Sequence, residues 1–224
     1  PQPATGEVGE VASLPGTDVV DDAGNMWAFH SDRQPDPTYS LGYKRPDGSW
    51  VDVAAPNEGG ASYVHRIRAF GQSNALMADA SGRVWRFDGS SWEDLGIGGA
   101  SNARQGIAGL DIDLKTGTVW ASGDGGAARR DPKTGAWQRY RITNCSQGDN
   151  FVLDLSLTPS GELWTTANIG TGVGGFQHFN GINWRGFNQF NYDLPGSGPF
   201  PFPSDSTQAI TYRRSNGHVA IAMP

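Results

Sequence analysis

Four histidines, His30, His65, His178 and His218, and scattered carboxylates are the groups in this 224-residue sequence with acid–base or metal-ligating chemistry. No two of the histidines have the His-x-x-x-His spacing, and the single cysteine, Cys145, has no partner thiol, so a zinc site is not signalled. Asn144-Cys145-Ser146 matches the short N-x-S glycosylation pattern. Glu162 and His178 form an acid–base pair only if neighbouring strands bring them together. Asp21-Asp22-Ala23-Gly24-Asn25 and Asp111-Ile112-Asp113 carry the oxygen ligands that calcium favours. Aspartates at strand ends also satisfy turn amides, so calcium stays open as an alternative and no other cofactor is called for. Gly170-Thr171-Gly172-Val173-Gly174-Gly175 has the look of a phosphate loop, yet it precedes a strand pattern and lacks the lysine of a P-loop. No Gly-x-Ser-x-Gly elbow occurs. No catalytic or metal-ligating residue is assigned, and the chain reads as a non-enzyme.

Binding candidates lie instead in two insertions, because loops on a rigid scaffold are where specificity is usually carried. Asn188 to Ser206 sets Phe190, Tyr192, Phe200 and Phe202 among Pro195, Pro199, Pro201 and Pro203. Proline stiffens the segment and lowers the entropy lost on docking, and aromatic rings make good interface anchors. Tyr192, Phe200 and Phe202 are the binding residues expected here. The alternative is that these rings lie back over the outer strands. His30 to Thr38 is the second insertion and adds His30, Asp32 and Arg33.

The elements that must position these loops are short strands. Ala108, Leu110, Ile112 and Leu114 alternate with Gly109, Asp111 and Asp113, the period of a strand with one buried face. Lys115-Thr116-Gly117, Gly123-Asp124-Gly125-Gly126 and Pro132-Lys133-Thr134-Gly135 then turn the chain between three further strands ending at Ile142. Similar meanders begin near Thr17, Tyr63, Phe151 and Thr207, a period of about 45 residues, which is the scale of a propeller blade. The first strand of the fourth unit is expected to start at Phe151, where Phe151, Leu153, Leu155 and Leu157 alternate with Val152, Asp154 and Ser156.

One meander cannot bury both faces alone; packing sheets face to face around an axis solves this and leaves only short edges. Trp27, Trp120 and Trp164 follow the first turn of their units, and Trp50, Trp92, Trp137 and Trp184 fall in fourth strands. Trp85 sits in a third strand. Core packing is the expected role of this series, with carbohydrate stacking the alternative. The fifth unit holds two strands, and Glu7 to Leu14 can supply outer strands to it. The expectation is therefore a single all-β domain over residues 1–224, a β-propeller of four-stranded antiparallel blades, five of them, closed by the N-terminal strand. A fragment of a larger propeller is the competing reading.

Gly117-Thr118-Val119-Trp120-Ala121-Ser122, Gly126 to Asp131 and Gly135-Ala136-Trp137-Gln138-Arg139-Tyr140 resemble the repeat of two-component regulator propellers. Gly161 to Thr166 and Gly175 to Trp184 are similar again, as is the linker Asn191 to Pro195. Tectonin-like lectins and streptogramin-lyase-like propellers share the Gly and Trp phrasing. The resemblance implies a secreted, periplasmic or cell-surface sensing or interaction module. A protein partner or self-assembly follows from it, with a propeller lectin or a lyase or hydrolase as alternatives.

Charged residues make up 18% of the chain and the net charge is −6, which argues against nucleic acid or an anionic membrane as partner. No apolar run reaches the roughly 18 residues that a spanning helix needs. The first residues, Pro1 to Gly6, lack an initiator Met and a signal-peptide core, so a processed or trimmed N-terminus is expected.

Overall fold

The computed structural model describes residues 20–31, 39–56, 64–79, 81–97, 106–141, 151–167, 175–187, 207, 209–213 and 217–222. Within them the chain forms antiparallel meanders in chain order. The first sheet is β1 (Met26–Ser31), β2 (Tyr39–Lys44) and β3 (Trp50–Val53), with a single bridge from Val20 to Met26 on its inner side. The second is β4 (Val64–Phe70), β5 (Asn74–Asp79), β6 (Arg83–Phe87) and β7 (Trp92–Ile97). The third is β8 (Ile107–Asp113), β9 (Thr118–Gly123), β10 (Gly126–Arg130) and β11 (Trp137–Tyr140). The fourth is β12 (Leu155–Leu157), β13 (Leu163–Ala167), β14 (Gly175–Phe179) and β15 (Trp184–Phe187), and β16 (Ala209–Arg213) pairs with β17 (His218–Ala222) in the fifth.

The hairpins form where the turn chemistry demands them. Asp131 Oδ1 accepts the amides of Lys133 and Thr134 at 2.8 and 3.0 Å, and Asn180 Oδ1 those of Ile182 and Asn183 at 3.0 and 2.8 Å. A side-chain oxygen thus stands in for the missing ladder partner at the tip of each turn. Gly126 opens β10 at φ +101°, and a Cβ there would lie 2.2 Å from the Tyr140 carbonyl oxygen, so no other residue type fits.

The core sits between sheets. Trp27, Leu41 and Tyr43 of the first sheet pack on Ile67, Met77 and Phe87 of the second. Leu76 and Val84 meet Leu110, Ile112 and Val119 of the third. Trp120 and Tyr140 meet Leu155, Leu163, Phe179 and Trp184 of the fourth, and Phe176 and Phe187 meet Ile210 of the fifth. Each sheet therefore buries one face on the preceding sheet and the other on the next, the face-to-face arrangement of propeller blades.

Two local expectations change. Phe151 to Asp154 is not part of the first strand of its sheet. Its amides are used elsewhere: Val152 N–H donates to Gly123 O at 3.0 Å and Leu155 N–H to Asp154 Oδ1 at 2.9 Å, so β12 begins at Leu155. His30 is a strand residue of β1, with Ser40 as its cross-strand neighbour, rather than the start of a loop.

Candidate functional site at the inner strands

The first strands of successive sheets, β4, β8, β12 and β16, lie side by side, and polar side chains stitch them together. Asp111, 3% exposed, stands on β8 opposite Trp120. Its Oδ2 accepts the amide of Leu157 in the next sheet at 2.8 Å, and its Oδ1 accepts its neighbour Ile112 N–H at 2.9 Å and Arg68 Nε at 3.0 Å. Ser156 occupies the matching position on β12, opposite Trp164, and its hydroxyl oxygen accepts Tyr212 N–H at 3.0 Å. Asp154 Oδ2 likewise accepts Ile210 N–H at 3.0 Å. Each contact carries one sheet's side chain to the next sheet's backbone. Gly109 permits the close approach, since a Cβ there would sit 2.6 Å from Ser122 Oγ and 2.9 Å from Leu155 N.

These strands enclose a cavity of about 370 Å³. Arg66 and Arg68 of β4 and Asp154 line one side; Ala209 and Thr211 of β16 with Ala220 and Ala222 of β17 line another. Burial pushes the Arg66 guanidinium below its ordinary pKa, and the negative charge of Asp154 only partly restores it. The cavity therefore combines two guanidiniums, anchored carboxylates and a wall of small side chains.

The sequence candidates are distributed differently. Tyr192, Phe200, Phe202, Asp32 and Arg33 lie outside the described residues, as do Cys145 and most of the Gly170 to Gly175 segment. The backbone of His30 belongs to β1, and none of these residues lines the cavity. Glu162 and His178 do meet: Oε2 and Nε2 are 3.7 Å apart, with the imidazole stacked on Trp164 at 4.4 Å between centroids. That pair belongs to the fourth sheet and is absent from the cavity lining, so it does not face the inner strands. Arg66, Arg68 and Asp154 were not singled out in the sequence. Their signal was there: two cations alternating along an inner strand, flanking Ile67, which is 1% exposed.

The two aspartate groups read as calcium candidates have other work. Asp21 Oδ1 accepts Ala23 and Asn25 N–H, each at 2.9 Å, and Oδ2 accepts Ser73 N–H at 2.8 Å and Asn25 Nδ2 at 2.9 Å. Asp111 is occupied as described above. Among the described residues no group of three or more His, Cys, Asp or Glu is gathered as a metal ion would require.

No protein-family model matches this sequence, and no curated protein does. Solved structures do match in fold. An extracellular domain assigned to a hybrid two-component system of B. thetaiotaomicron is 12% identical over 90% of this chain and 25% of its own, with a TM-score of 0.57. YCF48 bound to D1 peptide is 20% identical over 92% of this chain and 60% of its own, with a TM-score of 0.53. A gluconolactonase from Xanthomonas campestris is 13% identical over 91% of this chain and 67% of its own, with a TM-score of 0.56. This chain thus spans 25% and 60% of the length of the first two. The fold is that of the β-propellers, built from four-stranded antiparallel blades, and the resemblance seen in the Gly and Trp repeats is a likeness of fold. Proteins sharing it include extracellular domains and an enzyme alike.

Proposed function

We propose that this chain is a non-enzymatic, extracytoplasmic binding module that takes a ligand on the inner strands of its propeller. The observation that carries the reading is the cavity beside β4, β8, β12 and β16, whose polar groups are built for holding rather than for proton transfer. Asp111 and Asp154 are anchored by backbone amides, which stabilises their ionised form and makes them poor proton carriers at neutral pH. The acid–base pair His178 and Glu162 lies away from that cavity. An extracytoplasmic setting is supported by the extracellular domains that share the fold, and the peptide held by YCF48 supports a binding role for it.

The proline-stiffened segment from Asn188 to Ser206 is proposed as a second, protein-docking element through Tyr192, Phe200 and Phe202, serving a partner or self-assembly. Its support is the sequence alone.

The test is a ligand screen by thermal unfolding, followed by mass analysis of each hit after incubation. A ligand that raises the melting temperature and is recovered unchanged supports the module. Recovery of a converted product overturns the non-enzymatic reading, and hits confined to glycans move it to a lectin. A triple change of Tyr192, Phe200 and Phe202 to Ser addresses docking. Association lost with the fold intact supports it; association kept with stability lowered assigns the rings to the protein's own surface.

A further inference from the structure

We propose that the inner-strand cavity is a carboxylate-binding site for a small organic acid, with Arg66 and Arg68 supplying the guanidinium contacts. This rests on the binding-module reading above and names the chemistry of its ligand.

Ile67 is buried against the first sheet, so the strand period turns Arg66 and Arg68 together to the other face, where both line the cavity. Their acidic neighbours do not depend on them. Asp111 accepts the amides of Ile112 and Leu157, and Asp154 accepts those of Leu155 and Ile210. These amide dipoles offset the two carboxylates and hold them in place whatever the arginines do. A guanidinium carries more N–H donors than one carboxylate contact uses, in a planar fork matched to a second carboxylate. The partial burial of Arg66 strengthens such a contact by thinning the competing water.

Size and walls narrow the class. A cavity of about 370 Å³ is near the low end of the roughly 300–1,000 Å³ usual for ligand pockets. The wall across from the arginines is Ala209, Ala220 and Ala222 with the hydroxyl of Thr211, which suits a compact apolar body. A dianion such as phosphate would meet stronger repulsion from Asp154 than a monoanion does. The geometry therefore favours a monocarboxylate with a short branched or unbranched tail.

Calorimetry on the full chain with propionate, isobutyrate and isovalerate, each beside its primary amide, and with inorganic phosphate, decides the matter. Binding of at least one acid is expected, weakening with salt, with its amide at least tenfold weaker. Arg66→Gln is expected to weaken it at least tenfold. Ala222→Phe, which fills the space without touching either arginine, is expected to abolish it at an unchanged melting temperature. Equal binding of acid and amide, tighter binding of phosphate, binding that survives both substitutions, or no binding of any acid would overturn the carboxylate assignment. A neutral ligand found in the thermal screen and blocked by Ala222→Phe would leave the binding module standing without it.

Discussion

Asp21 shows how one side chain in a turn can serve two sheets at once. It closes its own hairpin through Ala23 and Asn25, then reaches Ser73 in the β4–β5 turn of the next sheet, where Ser73 holds φ +64°. Asp22 doubles the link, its amide donating to Gly71 O and its carboxylate accepting Gly71 N–H, each at 2.9 Å. Removing Asp21 leaves several donors without their acceptor, at roughly 1–3 kcal/mol for each one that stays buried. Asp21→Ala should therefore lower unfolding free energy by about 2–4 kcal/mol in denaturant titrations. Burial pushes this carboxyl up, but hydrogen bonds from the Asn25 side chain and from the amides of Asn25, Ser73 and Ala23 outweigh it and hold the pKa below 3.8. A depressed folded-state pKa contributes stability above the unfolded value, and that contribution is lost as pH falls through the folded value. The stability gap between wild type and Asp21→Asn should accordingly be full at neutral pH and shrink below about pH 4. A gap independent of pH would contradict the assignment.

At the level of the element, the tryptophans divide by strand position. Trp120, on a second strand, is 3% exposed and packs on Tyr140 at 5.4 Å and on Phe179 of the next sheet at 5.6 Å. The fourth-strand rings Trp92 and Trp137 donate their indole N–H backwards, to Ala54 O at 2.7 Å and Leu95 O at 2.9 Å, tying each outer strand to the preceding sheet. Trp85, the exception in the sequence pattern, joins the packing between the first two sheets and is half-buried. These contacts assign the series to packing between sheets. Trp120→Ala and Trp164→Ala should each destabilise the protein by about 3–5 kcal/mol, measured by chemical denaturation. Unchanged stability together with lost glycan binding would instead bring the carbohydrate reading forward.

Across the whole molecule, each apolar cluster joins one sheet to the next, and among the described residues none joins the fifth sheet to the first. Closure into five blades by Glu7 to Leu14 is a proposal drawn from the repeat count, and those residues lie outside the described ones. If Val8 to Leu14 covers the outer edge of the last blade, deleting residues 1–14 should expose a strand edge and drive aggregation, read by light scattering. A truncated protein that stays monomeric with an unchanged melting temperature would argue for another arrangement.

Local patterns determined most of the strands and their hairpins, because period-two alternation and Asp or Gly turn chemistry act within a few residues. The strand β9 and the Trp120 that marks it could be read directly from Gly117 to Ser122. The recurrence of that pattern also predicted sheets stacked face to face, since a single meander leaves apolar faces uncovered. The inner-strand site could not be read this way. Arg68 and Asp111 are 43 positions apart in the chain, and Asp154 and Ile210 are 56 apart. Nothing local marks Asp111 as a link between sheets rather than a calcium ligand, or His178 and Glu162 as neighbours remote from the cavity. Those roles depend on which strands the packing of whole sheets sets side by side, and only the tertiary structure decides that.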